Sequence, residues 1–230
     1  MSPVVENKTH HFVSKGMYNG LVLLGDQESG SYWDHITGEC VHGPLKGYKL
    51  EEFPLLQMNV AQALSGYPDM QVAIAHLSFG PRTLAFFMEW SRKSQRGFLP
   101  PVFKKTMGKE DNRRPLMDQG LGVWTNTAHK YYPMECLHKQ GGALIDELHG
   151  RRVLIYIDPL STLPGALYTN ATKFNWLNDL LYLATGEIVR GGVLCDNHGL
   201  AHKTDRPMQL FLRWYGFAYT FPDCEVYEGA

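Results

Sequence analysis

Glu39 and Glu187 occupy matching places in two related stretches, Thr37-Gly38-Glu39-Cys40-Val41-His42-Gly43 and Thr185-Gly186-Glu187-Ile188-Val189-Arg190-Gly191. If the two stretches face each other across a cavity, the carboxylates flank it. Burial would then raise their pKa values and suit one of them to general acid work. The alternative is turn chemistry, with each Glu answering nearby backbone N–H groups. His35, next to Asp34 at the end of a short strand, is the candidate proton shuttle near neutral pH. Asp158 follows the apolar run Val153–Ile157 and precedes Pro159, where a carboxylate either stands at a cavity mouth or caps the loop.

Two further constellations involve sulfur and imidazole. Cys195, Asp196, His198 and His202 give a His-x-x-x-His spacing beside a thiolate, which on a helix would reach one zinc. Gly199 and Asn197 argue for a loop instead, so neither a metal nor a cofactor is expected. His10-His11 is a second histidine cluster, in a terminus expected to be mobile. Cys136 and His138 would share a face if they lay on a strand, as a nucleophile–base pair would. A G-x-S-x-G elbow, a phosphate-binding G-x-x-x-x-G-K-[ST] loop and a G-x-G-x-x-G fingerprint are all missing, which lowers hydrolase, nucleotide-hydrolase and dehydrogenase readings. Aromatic residues are 12% of the chain. Trp33, Tyr18, Tyr156, Tyr168 and Trp124 are the candidates to line a cavity and bind an apolar substrate.

The elements that must position these groups are short. Leu21–Leu24, Tyr32-Trp33, Gln71–Ile74, Leu84–Met88, Gly122–Trp124, His129–Tyr132, Arg152–Ile157 and Cys224–Tyr227 read as strands between Gly, Pro and Asn turns. Asn59 is expected to cap a short helix that Gly66 ends in a left-handed conformation. A longer helix is expected over Met208–Tyr219, capped by Asp205. The pattern predicts a mainly β chain, a barrel or sandwich with few helices.

The Thr-Gly-Glu match has company. Gly16-Met17-Tyr18-Asn19 has a looser echo in Ala166–Asn170, and Gly66–Val72 in Thr220–Val226. Three ordered matches predict one domain of two related halves about a pseudo-twofold axis: an incomplete first half, 12–76, and a second half, 116–229. Between them lies a basic linker, 91–115. Residues 92–114 hold eight basic side chains against two acids, +6 locally, within a chain of net charge −1. The linker either grips an anion or is simply solvated.

The whole-chain charge balance disfavours nucleic acid and membrane surfaces as partners. No basic leader with an apolar run, and no 18-residue apolar stretch, is visible. The four cysteines lack C-x-x-C spacing, and reduced thiols in the cytoplasm are expected. An incomplete half exposes a sheet edge, which a second copy or the basic linker would cover; the second copy is the commoner solution, so a homodimer is expected.

The residues from Gly16 to Gly20, Gly25-Asp26-Gln27-Glu28-Ser29-Gly30-Ser31-Tyr32-Trp33, Thr37-Gly38-Glu39 and Gly43-Pro44-Leu45-Lys46-Gly47 resemble the family called domain of unknown function 3179. Tyr132-Pro133, Asp146–Val153, Tyr156–Pro159 and Phe221–Tyr227 are similar to the same family. The resemblance implies the fold more than an activity. Where the family has a Cys-Pro-Leu-Cys run, this chain has Asp158-Pro159-Leu160-Ser161, so no role of that cysteine pair carries over. The residues together lead to the expectation of a cofactor-free enzyme, a proton-transfer isomerase or cyclase on a largely apolar small molecule. The alternatives are a non-catalytic ligand-binding or assembly module, and a metal enzyme using Cys195, His198 and His202.

Overall fold

The computed structural model describes residues 1–67, 69–71, 99, 101–201 and 203–229. The strands expected at 71–74 and 84–88, His202, and residues 92–98 of the basic run fall wholly or in part outside this set.

The chain is mainly β, built from open antiparallel sheets; among the described residues no sheet closes into a barrel. A two-stranded ribbon, β1 (Val4–Val5) and β2 (Lys8–Thr9), leads into a four-stranded meander. Its strands are β3 (Phe12–Tyr18), β4 (Leu21–Asp26), β5 (Tyr32–Asp34) and β6 (Cys40–His42). Helices α1 (Val60–Gly66) and α2 (Pro101–Lys104) come next. Strands β7 (Gln119–Trp124) and β8 (His129–Pro133) form a hairpin, followed by α3 (Met134–Lys139). Strands β9 (Ala143–Leu148), β10 (Arg151–Ile157) and β11 (Pro164–Tyr168) make a three-stranded sheet with β10 in the middle. A second meander runs β12 (Phe174–Leu177), β13 (Leu180–Leu183), β14 (Ile188–Arg190), β15 (Val193–Cys195). Finally β16 (Met208–Arg213), α4 (Trp214–Thr220) and β17 (Glu225–Val226) complete the order β16-β7-β8-β17, in which only β17 pairs parallel.

Strand β10 explains the layering. Its side chains alternate faces, and both faces are buried, as its unbroken apolar run requires. Val153, Ile155 and Ile157 pack with Leu121, Val123 and Tyr132 of the β7–β8 hairpin and with Leu137 of α3. Leu154 and Tyr156 pack the other way, against Leu181, Val189 and Leu194 of the second meander. Helix α4 covers the far side of β7 and β8, placing Trp214 and Phe217 on Tyr131.

Expectations for 208–219 need correction. Met208–Arg213 is a strand paired residue for residue with β7, and the helix starts only at Trp214. The pairing with β7 wins over helical propensity, and Gln209 is buried with its amide bonded to both backbone groups of Ala166. Gly66 stays in the helix; Tyr67 is the cap, its N–H donating to the Ala63 carbonyl. Cys136 and His138 lie on α3, not on a strand, so two residues apart they point to opposite sides.

The two Thr-Gly-Glu stretches both turn hairpin corners. Asp34 N–H donates to the Glu39 carbonyl and Leu183 N–H to the Glu187 carbonyl, with Gly38 and Gly186 at positive φ. Helices α1 and α4 also end alike: Tyr67 and Phe221 each donate to the carbonyl four residues back and accept from the residue three further on. The looser echo is not carried by geometry. Tyr18 precedes a β3–β4 turn, whereas Tyr168 ends β11 in another sheet.

Gly120 lies where β7 is pressed between its neighbours. A Cβ there would sit 2.6 Å from the Tyr132 carbonyl oxygen and 2.5 Å from the Tyr131 ring. Gly120→Ala is therefore expected to cost on the order of 1–3 kcal/mol, seen as a lower urea midpoint; an unchanged midpoint would contradict this packing.

Candidate functional site

Asp158 is buried at the end of β10, and its Oδ1 collects four donors. Leu160 N–H (3.0 Å), Ser161 N–H (2.8 Å) and Ser161 Oγ (3.1 Å) come from its own loop; Gln62 Nε2 (2.6 Å) comes from α1. The loop of residues 158–163 is folded tightly on this carboxylate, as an Asp heading a turn does. Gln62 is placed by an N-terminal capping box, in which it exchanges bonds with Asn59. The space between Asp158, Gln62, Tyr156 and the Gly191-Gly192 turn is only ≈ 10 Å³, about enough for one water and not for a substrate. Burial raises the pKa of Tyr156, despite Arg206 Nη1 3.5 Å from its hydroxyl. Arg206 also donates to the carbonyls of Ala166 (2.8 Å) and Gly192.

Gln62 also looks outward. Its helix and the β14–β15 hairpin form the walls of a groove of ≈ 560 Å³, lined by Ala61, Gln62, Gly66, Leu160, Val193 and Cys195 among others. Arg190, exposed on the rim, has no acid partner among the described residues. The lining of the groove is mainly apolar with a few polar side chains.

A second concavity, ≈ 520 Å³, lies on the surface between Arg151, Tyr168, Glu187 and Asp205. Its groups are already engaged with one another. Arg151 lies 3.5 Å over the Tyr168 ring and 2.5 Å from Asp205 Oδ2, and Thr185 Oγ1 donates to Glu187 at 2.9 Å.

The expected site residues are thus dispersed. Glu187 and Tyr168 share the surface concavity; Asp158 and Tyr156 share the interior cluster. Glu39 is exposed on the β5–β6 corner, its backbone paired antiparallel with that of Lys49, and lines neither concavity. His35 is held through Nδ1, 2.8 Å from the Val22 carbonyl. Tyr18 is exposed on β3, and Trp124 is core, packed on Phe217 and Phe221. The four cysteines are buried and unpaired. Arg113 and Arg114, at the end of the basic run, are used internally. Arg113 pairs with Asp111, lies against Trp214 and donates to the Pro222 and Cys224 carbonyls; Arg114 pairs with Asp118.

Trp33 is no cavity aromatic either. It is completely buried in the first meander, and its indole N–H donates to Asp26 Oδ2 at 2.7 Å. Asp26 also accepts from Ser29 N–H (2.6 Å) and Ser29 Oγ (2.7 Å), and faces His10 Nδ1 at 3.2 Å. The Asp-x-x-Ser-x-x-x-Trp spacing is thereby a folding unit: a buried carboxylate closes the β4–β5 turn and fixes the central tryptophan. This is the stretch on which the family likeness rested, and the model of the family described as "Protein of unknown function (DUF3179)" matches residues 2–173. The chain belongs to the DUF3179 family. No curated protein and no solved structure matches it. The match takes in residues ahead of Phe12 and ends before β12.

In this DUF3179 chain the His10 segment is tied down, which corrects the expectation of a mobile terminus. The His10 side chain is 9% exposed, and its N–H donates to the Pro3 carbonyl at 2.8 Å. The signal was in the sequence, since the DUF3179 stretch contains an Asp whose turn and tryptophan both need an acceptor. Among the described residues no helix is long and apolar enough to cross a membrane.

Burial alone would raise the pKa of Asp26; bonds from Ser29, Trp33 and His10 outweigh it and bring it down to about 2 from 3.8. This lowered value stabilises the fold by about 2 kcal/mol at neutral pH, an amount complete above the ordinary carboxylate value and lost as pH falls through about 2. Asp26→Asn is expected to unfold at lower urea than the parent at pH 7, with the gap narrowing between pH 4 and 2; a gap independent of pH would contradict the assignment. For the interior cluster, a double-mutant cycle of Gln62→Ala and Asp158→Ala is expected to give a coupling of about 1–3 kcal/mol. Additive losses would mean the 2.6 Å bond contributes nothing.

Proposed function

We propose that this chain is a ligand-binding module whose site is the groove between α1 and the β14–β15 hairpin. What carries the reading is that groove: ≈ 560 Å³ of mostly apolar wall beside an Asp158 cluster with room for about one water. The ligand class that fits is a small, largely apolar molecule with an anionic end. Ala61, Leu160 and Val193 would meet its body, and the guanidinium of Arg190, which has no acid partner among the described residues, its charge.

The isomerase or cyclase expected from the residue types finds less support. Such chemistry needs an acid or base within reach of the substrate, and Asp158 holds four donors on one oxygen in a space of one water. The carboxylate instead shapes the groove through Gln62. The catalytic reading would regain ground if the purified protein turned over a molecule that binds in the groove and lost that turnover in Asp158→Asn with binding intact.

Anilinonaphthalene sulfonate, an apolar body with an anionic group, is the probe. It is expected to bind saturably with enhanced fluorescence, to be excluded by Ala61→Trp, and to bind roughly tenfold more weakly to Arg190→Ala, about 1.4 kcal/mol. No saturable binding, or binding indifferent to Ala61→Trp, would overturn the proposal.

The module is proposed as a single cytoplasmic chain. Edge strand β3 carries a bulge at Ser14–Gly16 and an exposed Lys15, both of which discourage strand-to-strand association. Light scattering at micromolar concentration should therefore give the mass of one chain. A dimer mass would restore the edge-covering homodimer expected from the sequence.

A further inference from the structure

We propose that His10, Asp26 and Glu28 form a binding site for a divalent first-row transition ion, with zinc as its test ion. This site is separate from the groove and does not depend on the ligand-binding reading. It also departs from the expectation of a metal-free chain, which weighed only the Cys195–His202 cluster and a supposedly mobile terminus.

Three ligand atoms of the right types are gathered in one place. His10 Nδ1 lies 3.2 Å from Asp26 Oδ1 and 4.0 Å from Glu28 Oε2, and the three ligand atoms all lie within 4.8 Å of one another. Four ligands at zinc bond lengths of about 2.0–2.1 Å are separated by about 3.3 Å in a tetrahedron. Glu28 therefore has to approach His10 by about 0.7 Å, and Asp26 by up to about 1.5 Å, which a surface Glu side chain reaches by a change of rotamer. One imidazole and two carboxylates are ligands that zinc and its neighbours accept. With three protein ligands, a fourth position is left for water or another small ligand.

The ligands are also held from behind. Metal-binding carboxylates and imidazoles are oriented by outer hydrogen bonds, and losing these weakens sites substantially. Asp26 has such partners in Ser29 N–H, Ser29 Oγ and the Trp33 indole. Glu28 has them in His11, whose N–H donates to Oε2 at 2.8 Å and whose Nδ1 lies 2.6 Å from Oε1. Backbone pairing locks the two segments together: Gln27 N–H donates to the His11 carbonyl, and Phe12 pairs with Asp26. Two carboxylates converge here on a single buried imidazole, and a divalent ion between them balances their charge.

The test uses the full chain, stripped with a chelator and titrated with zinc by calorimetry at pH 7.5. One ion per chain at micromolar or tighter affinity is expected. Glu28→Gln and His10→Ala should each weaken binding roughly tenfold or more, while His198→Ala leaves it unchanged. Glu28 is on the surface, so Glu28→Gln decides the matter if His10→Ala fails to fold. The proposal is overturned by absence of saturable binding, by undiminished affinity in Glu28→Gln, or by loss in His198→Ala, which would place the ion at the Cys195 segment.

Discussion

The hydrogen bond from Gln62 to Asp158 governs what the molecule can offer a partner. Helix α1 has seven residues, too few to be stable alone. Val60 and Leu64 are exposed, and Gln62 is its buried residue. What places the helix is therefore polar: a capping box that orients Gln62, and a 2.6 Å bond into a buried carboxylate. A buried charge without donors would be costly. Asp158 avoids this with backbone and hydroxyl donors from its own loop, leaving the Gln62 bond to determine where α1 lies. One wall of the groove exists because of that bond.

The rest of the architecture explains why a site sits on the outside. Strand β10 is packed on both faces, so sheet stacks directly on sheet and side chains occupy the interior. Arg206 and Gln209 satisfy the backbone of β11 from within. The two proposed surfaces lie where layers end, the groove at the β14–β15 hairpin and the His10 cluster at the rim of the first meander. The three carboxylates that matter, Asp26, Asp158 and Glu28, all lie at turns, and the first two organise a loop by accepting its N–H groups.

Much of the fold was legible. The alternating and continuous apolar runs located β4, β5, β7, β8 and β10, and Asn59 marked the start of α1. Met208–Arg213 is not legible locally, because residues there suit a helix as well as a strand and the deciding pairing with β7 comes from distant sequence. The site was legible only in part. Asp158 drew notice as a carboxylate after a core strand, but its four donors, one from α1, are a tertiary fact. Trp33 has the residue type of a ligand-facing aromatic, and nothing in that type reveals that its indole N–H ends on Asp26. The position of His10 near a terminus suggests mobility, whereas backbone pairing ties it down. The paired-carboxylate idea depended on a shared cavity; both glutamates do occupy hairpin corners, but on different sheets.

Hydrogen–deuterium exchange across α1 tests the central claim most directly, comparing the parent with Asp158→Ala at neutral pH. If the carboxylate positions the helix, amides of residues 63–67 lose protection in the variant while the β9–β10–β11 ladder keeps most of its own. Equal protection of α1 in both proteins would mean that other contacts hold the helix, and the groove would no longer owe its shape to Asp158.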